Sequence, residues 1–302
     1  MLALLGAAFV WMLWAQPFAL TRPLAVPEVR PQVRPIGPIS IKVAADATIE
    51  ESSAEQLTVY RLAANPDIIV LDFPSLYMQG ATFNRVASLT EQAGLPRDVV
   101  LTDAALEAAV LQRDATVATY FYSHAYRADE LAYFFATADR QHRVLNANEE
   151  WLRALLQQLG WFAPGATGAL VSVPRIDDAV TEAVRATMLQ HELARGEFFS
   201  NPDYASYVRG FWFNVMTDHE RDAFRHLLGT MGYDTDDEEL MYNQMQAYVM
   251  FTYDDRFFSS AKADITPVRR VRLQTAFLRN MPDSWLKPVL ALHLQQVQPA
   301  QR

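Results

Sequence analysis

The sequence predicts an α+β fold in which helices predominate. Three short runs suggest strands, because β-branched and aromatic residues favour extended backbone: IIVLDF (Ile68–Phe73), TVATYFY (residues 116–122) and ALVSVP (Ala169–Pro174). After Asp177, apolar residues recur almost entirely with helical spacing. These observations predict an α/β-like part with a few short strands over residues 41–174 and a helical part over residues 175–302. Because no linker separates them, they are alternatively one continuous domain over residues 41–302.

Start and stop signals predict four helices between the strands. Gly94 and Pro96 would end the first helix, and Asn146 with Glu149 has the spacing of a capping box at the start of the fourth. The predicted helices are residues 74–93, TDAALEAAVLQ from Thr102, ADELAYFFATADR, and NANEEWLRALLQQLG.

The helical part is predicted to contain five further helices. Thr217 and Glu220 again have capping-box spacing at the start of one of them. The predicted segments are residues 177–195, DYASYVRGFWFNVM, a helix from Thr217, a helix from about Asp236 that carries EELMYNQMQAYVMF, and VRRVRLQTAFLRNM.

The N-terminus predicts export or attachment to a membrane. Residues 2–15 form an apolar run of 14 residues, which is typical of a signal peptide and short of the about 20 that span a bilayer. Residues 1–20 are therefore interpreted as a signal peptide or an N-terminal anchor, although no basic residue precedes the run. Prolines at 23, 27, 31, 35 and 38 predict a semi-rigid spacer over residues 21–40. The expected location is the periplasm or the cell envelope.

Composition excludes several classes of function. The net charge of −9 argues against nucleic acid as a partner. The chain has no cysteine, so a metal site would have to use His, Asp or Glu. Neither a phosphate-binding glycine loop nor a G-x-S-x-G nucleophile elbow occurs, and nucleotide binding and serine hydrolysis have no support.

The segment LQHELARGEFFSNPDY (residues 189–204) contains the strongest chemical signal. His191 and Glu192 open an H-E-x-x-H pattern, in which two histidines one helical turn apart bind zinc and the glutamate activates a water molecule. The fifth position is Arg195, which is always protonated and has no lone pair for a metal.

The segment HELARGEFF followed by NPDY resembles the active-site helix of zincin-type metallopeptidases. In the gluzincin-type members, a glutamate from a later helix is the third zinc ligand. The similar segment here is MYNQMQAYVM, with Gln244 at the place of that glutamate. The resemblance covers about residues 185–252 and departs from the family at two of its three ligand positions, Arg195 and Gln244.

Two functions follow from the resemblance. In the first, the protein is non-catalytic and needs no cofactor; Arg195 fills the place of zinc, pairs with Glu192 and donates to the amide oxygen of Gln244. The old cleft then serves structure or binds a peptide or an envelope protein. In the second, the protein is a divergent zinc peptidase with His191 as ligand and Glu192 as general base. A third interpretation involves no relationship to metallopeptidases. In it, His191 is a core histidine, and Glu192 and Arg195 form an ordinary surface pair.

Other residues offer weaker alternatives. Replacement zinc ligands would be His219, His226 or the acidic residues near them, although solvated helix faces are the preferred interpretation of these residues. His124, just after a predicted strand, and Asp72, at the end of another, are further candidates for a polar site.

Overall fold

The structure of the chain, a computed structural model, describes residues 39–297 and has the predicted α+β, helix-dominated fold. The first strand begins at Ile41, the position at which the folded part was predicted to start. Residues 1–20, predicted to be a signal peptide or anchor, and all but the last two residues of the predicted spacer lie outside the described residues.

A mixed sheet of five strands forms the centre of the first part, in the order β1-β2-β3-β5-β4. Strand β3 pairs in parallel with β5 and antiparallel with β2, β1 is parallel to β2, and β4 is antiparallel to β5. The strands are Ile41–Ala44 (β1), Thr58–Leu62 (β2), Ile68–Phe73 (β3), His124–Arg127 (β4) and Ala169–Pro174 (β5).

The strand predicted at residues 116–122 is wrong, whereas those at β3 and β5 are confirmed. The backbone N–H groups of Thr119 and Tyr120 bond to the carbonyl of Thr116, so the segment turns, and the strand follows it at His124. Its aromatic residues pack on the core from this turn, which explains why their pattern resembles that of a strand. Strands β1 and β2 were not predicted.

Helices surround the sheet and, with the loops that join them, form the rest of the described chain. They are Asp46–Glu50 (α1), Leu76–Thr90 (α2), Asp103–Gln112 (α3), Ala128–Arg140 (α4), Ala147–Leu159 (α5), Glu182–Ser200 (α6), Pro202–Asn214 (α7), Asp218–Thr230 (α8), Glu238–Met245 (α9), Pro267–Asn280 (α10) and Leu286–Val297 (α11). A π-helix, Gln246–Phe251, continues α9, and the short 3₁₀-helix Ser260–Ala263 precedes α10.

The capping residues confirm several of the predicted helix starts. The side chains of Thr102, Asn146 and Thr217 cap α3, α5 and α8, the last two with full capping boxes. The predicted start of α6 at Asp177 is wrong, since the Asp177 carboxylate accepts the N–H groups of two following residues in a turn. Thr181 caps the helix instead, and α6 extends past Arg195.

The two faces of the sheet pack against different helices. Ile69 and Leu71 of β3 point to α2, α4 and α5, and the alternate residues Ile68 and Val70 point to α6. This alternation is the period-two geometry of a strand, and it explains why β3 is apolar on both faces. Helices α7 to α11 pack around a further apolar cluster that also contacts α6. Helix α6 therefore lies between the sheet and the C-terminal helices.

Gly80 of α2 allows the turn at residues 116–122 to approach that helix. A Cβ atom at Gly80 would lie 2.0 Å from the carbonyl oxygen of Val117. We expect Gly80→Ala to lower the free energy of unfolding by about 1–3 kcal/mol, because backbone must move to relieve the overlap. Urea denaturation followed by circular dichroism measures this. The control is Gly210→Ala in α7, where the nearest atom is 3.9 Å away and helix propensity favours alanine; equal losses in both variants would contradict the prediction.

Candidate functional site

Helix α6 carries the HELAR segment across one face of the sheet. Leu189 and Leu193 pack into the same apolar cluster as the strand residues. Gly196 permits close approach, because a Cβ atom there would be only 3.1 Å from the side chain of Val171. The helix is therefore held tightly on the sheet, and the remaining side chains of the segment lie in the interior.

Arg195 is the centre of a buried ionic cluster. Its side chain is 2% exposed, its Nη1 lies 3.2 Å from Oε2 of Glu192, and its Nη2 donates to Oε1 of Glu91. Burial opposes the charge, but the two carboxylates outweigh it and raise the pKa of Arg195 above its usual range. Arg195 is thus a permanent cation held in the protein interior by two acidic side chains.

Glu192 has both carboxylate oxygens engaged. Oε1 accepts a hydrogen bond from the Ser123 hydroxyl at 2.6 Å, and Oε2 accepts from Arg195. Burial raises the pKa of Glu192, and the nearby Arg195 opposes that rise. Because both residues are buried, the alternative of an ordinary surface pair between Glu192 and Arg195 is wrong.

His191 is neutral and has a defined tautomer. Burial, with Arg195 nearby, lowers its pKa to about 3. The Thr252 hydroxyl donates to the carbonyl of Ala247 at 2.9 Å, so it must accept from Nδ1–H of His191, also at 2.9 Å. The unprotonated nitrogen is therefore Nε2. The ring meets the edge of Tyr248 in the π-helix at a centroid distance of 4.4 Å, and π-helices often occur at functional sites.

Gln244 lies in the interior, as predicted, but not in the predicted contact. It is fully buried, and among residues 39–297 neither of its amide atoms has a partner at hydrogen-bond geometry. Its side chain does lie beside His191 and favours the protonated ring. The predicted bond from Arg195 to Gln244 is wrong, since the guanidinium turns towards Glu91 instead. The pairing of Arg195 with Glu192 is confirmed.

Glu91 completes the ionic cluster and was not among the candidate residues of the sequence. It directly follows Thr90, the last residue of α2, where the helix dipole disfavours a carboxylate. An acidic residue at a helix C-terminus was the available signal that a cation must lie nearby. Its partner, Arg195, is 104 positions away along the chain, and no local pattern links the two.

The alternative metal ligands are not brought together. Glu220 bonds to Arg269 at 2.6 Å, Glu239 pairs with Arg127, and the exposed His219 contacts Asp264 at 3.3 Å. His226 is exposed on α8. Throughout the described ranges, no group of three His, Asp or Glu side chains could hold a metal ion.

Asp72 and His124 are both buried beside the strands. Asp72 accepts a hydrogen bond from Arg185 of α6 at 3.0 Å, while Arg185 also donates to the carbonyls of Ile49 and Glu50. This pair joins the sheet to α6 and the end of α1. The Nδ1 of His124 lies 3.1 Å from Ser172 Oγ on β5, so both candidates connect structural elements.

A cleft of about 200 Å³ opens beside Arg195, where four helices converge. It lies on the side of the guanidinium that Glu91 occupies, so the buried ionic cluster forms part of its wall. Its lining comes from the end of α2, the end of β4 and the start of α4, the second half of α6, and α9 with its capping residue: Thr90, Glu91, Arg127, Glu130, Arg195, Phe199, Asp237, Glu239, Leu240 and Asn243.

Comparison of the chain with protein-family models, curated proteins and solved structures finds no match in any of the three. In the described part of the chain, no helix has the length and apolar character needed to cross a bilayer. Interpretation of the site therefore depends on its own geometry.

The ionic cluster predicts a large effect of removing its cation. Arg195→Met should lower the free energy of unfolding at about pH 7 by about 3–5 kcal/mol, because Glu91 and Glu192 would remain buried without a counter-charge. Urea denaturation measures the loss. The control is Arg256→Met, which removes the exposed partner of the half-buried Asp254 and for which at most about 1 kcal/mol is expected. Similar small losses in both variants would show that the cluster is solvated.

The burial of His124 predicts a dependence of stability on pH. Burial, with Arg195 nearby, lowers its pKa to about 3, whereas the unfolded chain binds a proton below about pH 6.5. Stability from this group is therefore lost as the pH falls. Between about pH 7 and about pH 5 the loss is about 2 kcal/mol, so the deficit of His124→Gln relative to wild type should shrink by that amount. A constant deficit would contradict this, and the exposed His226→Gln variant is the control.

Proposed function

We propose that the protein is an exported or envelope-anchored relative of zinc metallopeptidases that is non-catalytic and uses its former active-site cleft for binding. Arg195 replaces the metal ion as the central cation. The observation that carries the proposal is the ionic cluster, in which a buried guanidinium bonds to Glu192 of the motif and to Glu91. An internal cation that two acidic residues already neutralise supports a site that holds no metal.

The donors at the motif positions do not fit a zinc ion. A catalytic zinc site uses three protein ligands and an open fourth position. Here the three corresponding positions supply a histidine nitrogen, a guanidinium and an amide, from His191, Arg195 and Gln244. Zinc binds nitrogen, sulfur and carboxylate oxygen, and Arg195 would repel it. Ser123 and Arg195 each donate a hydrogen bond to one oxygen of Glu192, and these bonds favour its ionised form and so make it a weaker base.

The alternative is an active, divergent zinc peptidase with His191 as ligand and Glu192 as general base. One observation favours it: the Nδ1–H of His191 is held by Thr252 and Nε2 carries a lone pair, which is how metal-binding histidines are usually oriented. The amide of Gln244, next to this ring, is without a hydrogen-bond partner in the described chain. These two residues together still supply fewer donors than a zinc site requires.

The cellular location of the protein is proposed from the sequence alone. The apolar run and proline-rich segment of residues 1–40 support export to the periplasm or anchoring in the cell envelope, with membrane attachment through residues 2–20. The acidic net charge argues against nucleic acid as the partner, and the former active-site cleft is proposed to bind a peptide or an envelope protein.

Zinc content tests the proposal. The full-length wild type and the double variant Arg195→His, Gln244→Glu are exposed to zinc, desalted and analysed by mass spectrometry. We expect no stoichiometric zinc in the wild type and about one ion per chain in the double variant, because the variant supplies three ligands around the position of Arg195.

The control is the double variant Arg195→Ala, Gln244→Ala, which removes the cation without adding ligands and should remain free of zinc. Stoichiometric zinc in the wild type would overturn the proposal and favour the peptidase alternative. If neither the wild type nor the histidine–glutamate variant binds zinc, the proposed relationship to metallopeptidases loses its support.

A further inference from the structure

The cleft beside Arg195 contains more acidic than basic side chains. Its wall includes four carboxylates, from Glu91, Glu130, Asp237 and Glu239, and two guanidinium groups, from Arg127 and Arg195. Both guanidinium groups are already paired: Arg195 with Glu91 and the deeper Glu192, and Arg127 with Glu239 and Asp129. The wall therefore retains an excess of negative charge after these pairs are counted.

Glu130 and Asp237 are the two remaining carboxylates of the wall. In residues 39–297, neither forms an ion pair; Glu130 accepts the backbone N–H of Arg127 at 2.8 Å, and Asp237 accepts that of Leu240 at 3.0 Å. Each caps the start of a helix, α4 and α9 respectively. Burial raises the pKa of Glu130 to about 7, although the nearby Arg127 opposes the rise, so its negative charge is only partly stabilised.

Two buried donors in the same wall also lack partners. Asn243 is 1% exposed and Arg195 is 2% exposed, and within the described ranges no acceptor is bonded to Nδ2 of Asn243 or to Nε of Arg195. The other amide atom of Asn243 is fixed by Gln246 at 3.2 Å. Buried donors are almost always satisfied, so these two indicate an oxygen atom supplied from outside the chain.

We propose that this cleft binds an α-ammonium group together with its adjacent carbonyl or carboxylate oxygen, as presented by a peptide N-terminus or a free amino acid. The ammonium lies against Glu130 and Asp237, and the oxygen accepts from Asn243. Capture of a terminal amine is a known mode of peptide recognition. The ligand is organic rather than metallic, because no three His, Asp or Glu side chains in the described chain converge on a metal position.

The size and lining of the cleft suit a single residue. A volume of about 200 Å³ is smaller than the about 300–1,000 Å³ of sites for drug-sized molecules. Phe199 and Leu240 supply an apolar wall for the side chain that accompanies the ammonium group. This inference deepens the proposed function and rests on it only in treating the former active site as a binding site.

Binding should depend on pH through Glu130. The charged groups that face it are Arg127 from β4, Glu91 from α2 and Arg195 from α6, with the Tyr126 hydroxyl on the same strand as Arg127. At about pH 5.5 its carboxyl group is protonated and binds an ammonium weakly, whereas at about pH 7 about half of the carboxyl groups are ionised. We therefore expect affinity to rise with pH across this range, while the ligand amine, with a pKa of about 8, stays charged.

Isothermal titration calorimetry on the full-length chain tests the proposal with alanyl-alanine as the probe. We expect alanyl-alanine to bind about tenfold or more tightly than N-acetyl-alanyl-alanine, which keeps the carbonyl groups and lacks the ammonium. A titration with L-alanine distinguishes a free amino acid from a peptide N-terminus as the ligand. Binding equal to that of the dipeptide indicates a free amino acid, and weaker binding indicates a peptide terminus; both support the proposed chemistry.

Two conservative variants locate the site. Glu130→Gln and Asp237→Asn retain the capping role of each side chain and remove its charge, so both should fold and bind alanyl-alanine about tenfold less tightly. Glu130→Gln should also lose the rise of affinity with pH. The matched control is Glu107→Gln on the exposed face of α3. No binding, equal binding of the acetylated peptide, or unchanged affinity in both variants would overturn the proposal.

The zinc content of the protein distinguishes failure of the amine-binding proposal from failure of the proposed function. A wild type that binds neither zinc nor alanyl-alanine, beside a double variant that binds zinc, would overturn only the amine site. A wild type that holds zinc would overturn the proposed function whatever its affinity for the dipeptide.

Discussion

The ion cluster of Arg195 is the interaction on which the rest of the site depends. A single guanidinium joins the end of α2, through Glu91, to the middle of α6, through Glu192, and contributes to the wall of the cleft. Charges in the protein interior are tolerated only when they are paired and hydrogen-bonded. The three side chains must therefore adopt one arrangement together, and that arrangement sets the distance between the two helices and the shape of the cleft.

The π-helix gives the second fixed element of the site. Its Val249 carbonyl accepts from Gln274 of α10 at 2.9 Å and from Arg270 at 3.2 Å, so carbonyl groups that the wider helix leaves unpaired are satisfied by a neighbouring helix. The same segment carries Tyr248 against His191, and Thr252 directly after it fixes the tautomer of that ring. Helix α10 therefore supports the histidine indirectly, through the backbone of the π-helix.

Patterns in the sequence predicted the fold class and much of the helical framework, because helices and their caps depend on interactions between residues that are close in the chain. Asn146 and Thr217 cap helices through side chains and backbone groups within three residues, and β3 is apolar because both of its faces are covered. The turn at residues 116–122 was mistaken for a strand because burial of aromatic residues, and not strand pairing, produced its pattern. Strands β1 and β2 are short and partly exposed, which weakens their signal.

The candidate site was only partly predictable, because some of its contacts lie within one helix and others join distant parts of the chain. The pairing of Glu192 with Arg195 follows from their spacing on one helix, and the inward direction of Gln244 follows from the apolar stripe around it. Glu91, Ser123 and Thr252 reach the site from distant parts of the chain. Their roles depend on how α2, β4 and the π-helix pack against α6, and no short pattern records that packing.

The shared counter-ion also restricts how the sequence can change over generations. A substitution at Arg195 alone leaves Glu91 and Glu192 without their partner, and a substitution at either glutamate leaves part of a buried guanidinium unpaired. Each single step therefore passes through a less stable protein, whereas coordinated replacement of all three positions does not. The three residues form an epistatic unit, so we expect them to be inherited together and to be exchanged, if at all, only as a set.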